Sequence, residues 1–297
     1  MRRVCIYLGD SCNLNCVYCL RNNPLACKPF ISSPSEKLLS YLSSRTPDFC
    51  DAVVMNGGEP LLYFDLIKDL FSYVPADVHK KIISNGTLLT QDIINYINSN
   101  YIELCLSHDG EQSSFLRGVD VLTDPYLLSL INQVNDLSIS CTITNRNCDV
   151  YANYSYIKHR LIPQFHFLVN VVLETGSNSE YVDDFNYDLF QKSYLEFMLS
   201  RPYYSPHYPP IVNEGRNVLL NGDIVTLDLL TKVGDVFDCD DKLLASLETL
   251  RSNCSVDCPI IGTCRIPKQN ASEHFCKKEI ILSNVSDYIN LLKEGYL

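Results

Sequence analysis

Three closely spaced cysteines near the start of the chain, Cys12, Cys16 and Cys19, have the residue type and spacing of an iron–sulfur ligand set. Thiolates at this spacing can bind three irons of a cubane cluster and leave the fourth iron without a protein ligand. Such an open iron can chelate a small molecule, whereas a cluster with four cysteines mainly carries electrons. The same triplet is also compatible with chance in a chain with 14 Cys, or with a zinc site that has a distant fourth ligand.

A second cysteine group lies near the other end of the chain, at Cys254, Cys258, Cys264 and Cys276. Four thiolates can close either a tetrahedral zinc site or a 4Fe-4S cluster, and the residues alone do not decide between them. In a reducing cytosol, so many cysteines indicate metal or redox centres more than disulfides.

The elements that must position these groups follow from alternating apolar patterns in the first part of the chain. Apolar runs predict strands at 3–8, 51–55, 80–84, 102–107, 138–143 and 165–173; three- and four-residue apolar spacing predicts helices at 36–45, 62–74, 90–99, 124–135 and 149–159. About six βα units indicate a parallel sheet with helices outside. The alternation alone fits either an open barrel or a flat, doubly wound sheet. The first cysteine group directly follows the first strand, where barrel enzymes place their chemistry.

The first cysteine motif, with the aromatic Tyr18 just before its last cysteine, resembles the signature of the radical S-adenosylmethionine (radical SAM) superfamily. The segment Gly57-Gly58-Glu59-Pro60, at the end of the second predicted strand, resembles the family's Gly-Gly-Glu-Pro element. The resemblance implies an α/β fold with an open partial (β/α)6 barrel, a 4Fe-4S cluster on the three cysteines, and bound S-adenosylmethionine (SAM). It also implies that a backbone carbonyl and Glu59 contact the amino group of the cofactor's methionine part.

Further polar residues at the ends of the third and fourth strands resemble elements of the peptide-modifying members of the superfamily. The resemblance implies that Ser84 and Asn85 lie near the ribose of SAM, Ser107 near its polar face, and that Arg117 pairs with its carboxylate. Taken singly, the Asn-Gly and Asp-Gly pairs are also ordinary turn residues, and Ser107 is also explained as a satisfied strand-end hydroxyl. His108 departs from the family pattern, so we predict a surface or cleft histidine without a role.

The composition changes near residue 200, where a segment rich in Pro and Tyr predicts a linker. We therefore predict a radical SAM partial barrel at 1–200 and a smaller domain at 201–297. A predicted hairpin around Asn221 and Gly222, followed by cysteines, resembles the SPASM and twitch extensions of radical SAM enzymes. Leu227 and Lys268 stand where that pattern has cysteines, so the resemblance implies one auxiliary cluster on the second cysteine group, with zinc as the less favoured occupant.

The sequence assigns no catalytic acid or base. Three carboxylates after the last barrel strand are candidates by position only, and in so acidic a chain such groups are usually solvated: Glu174, Asp188 and Glu196. Three other cysteines lie inside predicted strands and are expected to be buried, small apolar side chains: Cys5, Cys105 and Cys141.

Charge and hydropathy exclude some classes of protein. The net charge of −11 argues against a large nucleic-acid surface, which would need clustered Lys and Arg. No segment approaches the roughly 20 apolar residues that span a membrane, and the first apolar run is too short for a signal peptide. We therefore expect a cytoplasmic protein that binds neither nucleic acid nor membrane.

The resemblance implies an oxidoreductase that reductively cleaves SAM to a 5'-deoxyadenosyl radical and takes hydrogen from a substrate. The first expectation is a peptide maturase that crosslinks, epimerises or oxidises a ribosomally made peptide or protein side chain. The alternatives are oxidation or rearrangement of a small metabolite, and a non-catalytic electron-transfer protein in which Cys27 completes the first cluster. The implied partner is an external low-potential reductant such as flavodoxin or ferredoxin.

Overall fold

The computed structural model describes residues 3–22, 33–44, 50–172, 178–200, 215–221, 223–225 and 232–236, together with the positions 277, 280, 281, 284 and 285. The described residues form one sheet with the strand order β6-β5-β4-β3-β2-β1-β7-β8-β9. The strands are β1 (Arg3–Tyr7), β2 (Ala52–Asn56), β3 (His79–Ser84), β4 (Ile102–Ser107), β5 (Leu137–Ile143), β6 (Phe165–Val171), β7 (Gly215–Leu219), β8 (Asp223–Val225) and β9 (Lys232–Asp235).

Strands β1 to β7 are parallel, and of the described strands only the last two run antiparallel to their neighbours. The helices that cross between parallel strands are α1 (Glu36–Ser43), α2 (Phe64–Ser72), α3 (Gln91–Ser99), α4 (Ser113–Arg117), α5 (Pro125–Ile131), α6 (Val150–Lys158) and α7 (Tyr187–Leu199). The described sheet is not closed into a full barrel, in agreement with the predicted open α/β architecture.

Short polar side chains begin most of these helices, as N-capping requires. The hydroxyl of Thr90 accepts a hydrogen bond from the backbone N–H of Ile93 at the start of α3, and the carboxylate of Asp149 accepts one from Ala152 at the start of α6. Asp124 accepts two such bonds before Pro125, a residue suited to the first turn of a helix.

The core lies between the sheet and the helices. In β4, Ile102, Leu104 and Leu106 are buried in that core, while the intervening residues occupy the other face of the sheet. That other face is partly polar, since it carries Glu103 and Ser107 in β4. Alternation thus supplies an apolar outer layer for stability and a polar inner face for a site.

The six predicted strands are confirmed, with ends that differ by two residues or fewer. The predicted helix at 62–74 begins instead with a 3-10 turn, Pro60–Tyr63, because Pro60 and the cap from Glu59 set a tighter first turn. The predicted helix at 124–135 ends earlier, at Ile131.

The predicted hairpin after residue 215 is confirmed as β7 and β8, but its position was not predicted. Strand β7 pairs in parallel with β1 and so extends the barrel sheet across the predicted boundary at residue 200. Val218 and Leu220 belong to the same buried core as the first six strands. The division into 1–200 and 201–297 stays a prediction. Among the described residues, no helix is both long and apolar enough to cross a membrane.

Candidate functional site

A cavity of about 350 Å³ opens at the carboxyl ends of the parallel strands. It brings together most of the residues that the sequence singled out: Cys12, Cys16, Tyr18, Cys19, Gly57, Gly58, Glu59, Ser84, Asn85, Ser107 and Arg117. These residues come from four strand ends that are far apart in the chain, which is the convergence expected of a parallel sheet. Pro60 is buried at the start of its 3-10 turn and does not line the cavity.

The loop after β1 carries the first three cysteines along one wall of the cavity. Cys16 is buried, and Cys12 and Cys19 are half-buried. The loop is held in place by its backbone: the N–H of Cys19 donates to the carbonyl of Cys16 at 3.1 Å, and the N–H of Val17 donates to Leu116 at 3.0 Å. The side chain of Asn22 donates to the same Cys16 carbonyl at 3.1 Å.

The chemistry of these thiols fits an iron–sulfur cluster better than a single metal ion. Burial is the largest influence on Cys16 and raises the pKa of its thiol to about 11, so a thiolate there needs a bound cation to stabilise it. In the described part of the chain, no three Cys, His, Asp or Glu side chains lie close enough to share one metal ion. A zinc ion needs its ligands around one point, whereas a cubane places each thiolate on a different iron.

The Gly-Gly pair is required by the cysteine loop itself. The N–H of Gly58 donates to the carbonyl of Gly9 at 2.7 Å, and the N–H of Glu59 donates to Ser11 at 2.8 Å. A Cβ on Gly58 would lie 2.2 Å from the carbonyl oxygen of Ser11, and Gly57 has a φ of 146°, which other residues rarely adopt. Both glycines therefore allow the end of β2 to press against the loop.

Glu59 joins the ends of two strands. Its carboxylate is 1% exposed and accepts hydrogen bonds from the N–H of Leu61 (3.0 Å), the hydroxyl of Ser84 (2.8 Å) and the N–H of Asn85 (2.8 Å). Burial raises the pKa of Glu59, although the three hydrogen bonds act in the opposite direction. Because a carboxylate has about four acceptor positions, one is left for a ligand in the cavity.

Asn85 connects β3 to the cysteine loop. Its side-chain nitrogen donates to Asn13 at 2.9 Å, and its side-chain oxygen accepts from the backbone and hydroxyl of Thr87. The side-chain nitrogen of Asn13 in turn donates to the Thr87 hydroxyl at 2.7 Å. These contacts fix the orientation of Asn85. Its side-chain nitrogen lies 3.9 Å from the sulfur of Cys12.

Asp109 is a buried residue to which the sequence alone assigned no role. Its carboxylate accepts a hydrogen bond from the hydroxyl of Tyr18 at 2.5 Å and from the N–H of Thr142 at 2.9 Å. The guanidinium of Arg117 lies against the same carboxylate, with Nε 2.8 Å from Oδ2 and the terminal nitrogen 3.0 Å from Oδ1. Burial alone would lower the pKa of Arg117, but the ion pair with Asp109 raises it overall. The Asp-to-Arg spacing of eight residues was the available sequence signal for this pair.

His108 corrects one prediction, because it is buried rather than on a surface or in the cleft. It is 1% exposed, and its Nε2 lies 2.8 Å from Asp120, while the N–H of Gly110 donates to its Nδ1. Since Nδ1 accepts a hydrogen bond, the ring proton is on Nε2, and this N–H donates to the carboxylate of Asp120. The hydroxyl of Tyr156 also donates to Asp120, so His108 belongs to a structural network beside α6.

The structure separates the remaining candidates. Cys105 and Cys141 are buried as predicted, but Cys5 is half-buried and lines the cavity, because alternation along β1 directs it to the inner face. Asp188 and Glu196 are exposed on α7 and do not line the cavity. Glu174, Cys27 and the second cysteine group lie outside the described residues. Ser140 and Thr142, which line the cavity from β5, were not predicted.

Sequence comparisons place the chain among known proteins. The family model described as the radical SAM superfamily matches residues 6–110. An uncharacterized protein of Methanocaldococcus jannaschii is 28% identical over 161 residues, which cover 50% of this chain and 54% of that protein. A probable GTP 3',8-cyclase of Halobacterium salinarum is 31% identical over 110 residues, or 35% of this chain and 30% of the relative. The matches thus span about half or less of these relatives.

Solved structures share the fold over nearly the whole chain. The structure of anSMEcpe with bound AdoMet and Cp18Cys peptide has a TM-score of 0.68 at 17% identity, covering 98% of this chain and 99% of that one. Streptococcus suis SuiB bound to its precursor peptide SuiA has a TM-score of 0.63 at 18% identity, covering 99% of this chain and 73% of that one. The family model thus marks a match to the radical SAM superfamily over the cysteine loop and the first four strands, and the solved structures share the fold of nearly the whole chain.

Proposed function

We propose that this protein is a radical SAM enzyme and that it acts on a ribosomally made peptide or protein, whose side chain it crosslinks, epimerises or oxidises after hydrogen abstraction. The observation that carries the proposal is the cavity shared by the three cysteines and the polar residues from β2, β3 and β4. A 4Fe-4S cluster on Cys12, Cys16 and Cys19 and a SAM molecule beside it would account for this combination of thiols, glycines and polar groups.

When bound, the cluster and SAM supply a one-electron cleavage of the C–S bond and a radical that abstracts hydrogen. The protein's residues bind and orient. Arg117, fixed by Asp109, offers its guanidinium to a carboxylate, and Glu59 offers its remaining acceptor position to an amino group. Leu14, Leu20 and Ile83 give the cavity an apolar lining that excludes water.

The charge of the cavity supports a peptide substrate. Glu59 is the one carboxylate among its described lining residues, and three of its acceptor positions are already used. A free amino acid would bring an ammonium group in addition to that of SAM, and the described lining residues offer it no second carboxylate. A residue within a peptide has a neutral amide instead. The peptide-bound states of anSMEcpe and SuiB are consistent with this class.

A small metabolite is the second candidate substrate. It is favoured by the similarity to the probable GTP 3',8-cyclase, which covers 35% of this chain. The two substrate classes are separable by measuring which compounds increase the rate of SAM cleavage.

We also propose that Cys254, Cys258, Cys264 and Cys276 hold one auxiliary 4Fe-4S cluster, with zinc as the less favoured occupant. Four thiolates would complete the coordination of that cluster and make it an electron relay or a structural centre. An external flavodoxin or ferredoxin would reduce the first cluster.

The experiment that tests the function measures iron, sulfide and 5'-deoxyadenosine after anaerobic reconstitution with SAM and dithionite. Wild type is compared with Cys16→Ala, Cys258→Ala and a control, Cys148→Ala, which removes a buried thiol outside both groups. About eight irons per chain, with nucleoside release lost only in Cys16→Ala, supports both proposals. About four irons plus zinc makes the second site structural, and no nucleoside from a fully loaded wild type excludes the enzyme.

A further inference from the structure

Arg21 is a half-buried cation in the 3-10 turn Leu20–Asn22, two residues after Cys19, and it lines the cavity. One terminal nitrogen of its guanidinium donates to the carbonyl of Asp10 at 2.8 Å, and the other donates to the carbonyl of Leu14 at 3.0 Å. These two carbonyls lie two residues before and two residues after Cys12 in the chain. One side chain therefore braces both sides of the first cysteine.

Arg21 also lies in the same cavity as the thiols. Its contacts with the carbonyls of Asp10 and Leu14 hold the guanidinium beside Cys12, and the turn that carries it begins directly after Cys19. Arg117 is a second cation in this cavity, and it pairs with Asp109. Two guanidinium groups thus share the cavity with the three thiols, and Arg21 is the one that donates to the backbone of the cysteine loop itself.

We propose that Arg21 raises the reduction potential of the cluster on these cysteines. The inference rests on the proposed function only in requiring that the cysteines hold that cluster. Reduction transfers one electron from an external donor, which is oxidised by one electron, and adds one negative charge to the cluster and its thiolates. A fixed cation beside two of the thiolates stabilises the reduced form more than the oxidised form.

Two substitutions at position 21 test whether the effect of Arg21 comes from its charge or from its contacts with the loop. Lysine keeps the positive charge but cannot donate to two carbonyls in the planar arrangement of a guanidinium. Glutamine keeps a donor and removes the charge. The two substitutions separate the electrostatic effect from the bracing of the loop.

The test is a redox titration of the reconstituted full chain without SAM, followed by electron paramagnetic resonance of the reduced cluster. In Arg21→Gln we expect the ratio of reduced to oxidised cluster at a fixed potential to fall about tenfold, or about 59 mV for one electron. Arg21→Lys should keep most of the wild-type ratio. The control is Arg146→Gln, an exposed cation that lies 4.0 Å from Glu180 and should leave the ratio unchanged.

An unchanged potential in Arg21→Gln overturns the inference, as does an equal shift in both variants, which would assign the effect to the bracing contacts. Loss of iron from both variants overturns it too, because Arg21 would then serve assembly of the loop. A wild type that binds no cluster overturns this inference and the proposed function together. A wild type that holds a titratable cluster but releases no 5'-deoxyadenosine defeats only the proposed function.

Discussion

Asp109 binds, through its two carboxylate oxygens, one group from each of three parts of the cavity wall. Tyr18 belongs to the cysteine loop, Thr142 to β5, and Arg117 to α4. Asp109 itself is fully buried, and its backbone N–H donates to the hydroxyl of Ser113. A charge at this depth is stable only when it is paired and hydrogen-bonded, and each of its partners depends on it in the same way.

We predict that Asp109→Asn lowers both stability and SAM binding. The substitution leaves Arg117 buried without its counter-charge, which typically costs about 3 to 5 kcal/mol of unfolding free energy. Chemical denaturation of the full chain measures the loss, and the KM for SAM should rise because the guanidinium is no longer held in place. The matched control is Asp124→Asn at the exposed start of α5, where Asn caps a helix as well as Asp does. Equal stability of the two variants would contradict the prediction.

Spacing along the chain decides which of these residues the sequence could reveal. The cysteines, the Gly-Gly-Glu-Pro segment and the Ser-Asn-Gly turn are recognisable because their residues are neighbours in the chain. Arg21 acts through contacts with backbone carbonyls that only the folded loop brings near, so it has no local signature, and the only sequence signal for Asp109 is its spacing from Arg117. Cys5 was misjudged because an apolar run does not show which face of its strand points inward.

At the scale of elements, the end of β2 and the loop after β1 form one unit. Their contact depends on two backbone hydrogen bonds and on the absence of a side chain at Gly58. The first strand therefore cannot present its cysteines correctly unless the second strand ends in a turn without a Cβ.

We predict that Gly58→Ala displaces the cysteine loop and reduces the iron content of reconstituted protein. The added methyl would meet backbone oxygens at 2.2 Å and 2.6 Å, which cannot move without moving the loop. Gly118→Ala is the control: its Cβ would meet nothing within 4 Å, so only its φ of 81° makes it unfavourable, by about 1 to 2 kcal/mol. Full iron loading in Gly58→Ala would contradict the prediction, because the loop would then accommodate the methyl group and still bind the cluster.

A second set of strand contacts lies at the N-terminal ends of β3, β4 and β5, away from the cavity. Glu103 lies 2.7 Å from both His79 and Lys81, and Lys81 also donates to Ser138. Burial would raise the pKa of Glu103, but the hydrogen bond from His79 and the charge of Lys81 lower it to about 2. This network ties three adjacent parallel strands together on the inner face of the sheet.

We predict that Glu103 stabilises the fold above pH 4.5 and loses that effect as the pH falls toward 2. A folded pKa below the unfolded value means that the unfolded chain binds the proton first, so stability falls with acid. The contribution is on the order of 3 kcal/mol. Glu103→Gln should be less stable than wild type at pH 5, and the difference should narrow at pH 3. Glu196→Gln, on the exposed side of α7, should track wild type at both values.

At the scale of the whole molecule, the first six strands were predictable because each repeats one pattern, an apolar strand followed by an amphipathic helix. The seventh strand was predicted as half of a hairpin, but its place in the sheet was not. Strand β7 follows a long connection and joins β1 on its far side, and no periodicity in the chain specifies which edge a distant strand will take. Strand β7 therefore continues the sheet of the first six strands beyond residue 200, while the division at that residue stays a prediction.

We predict that β7 and β1 unfold together. Val218 is fully buried in the core shared with Ile6 and Val53, so Val218→Ala should remove about 2 kcal/mol of stability. Hydrogen exchange should quicken in β1 as well as in β7, because the two strands pair along their length from Arg3 to Tyr7. Ile162→Ala, at a side chain that is 85% exposed, should change exchange in neither strand. Faster exchange confined to β7 would instead support an independent unit after residue 200, whereas coupled exchange would mean that the parallel sheet needs β7 to be complete.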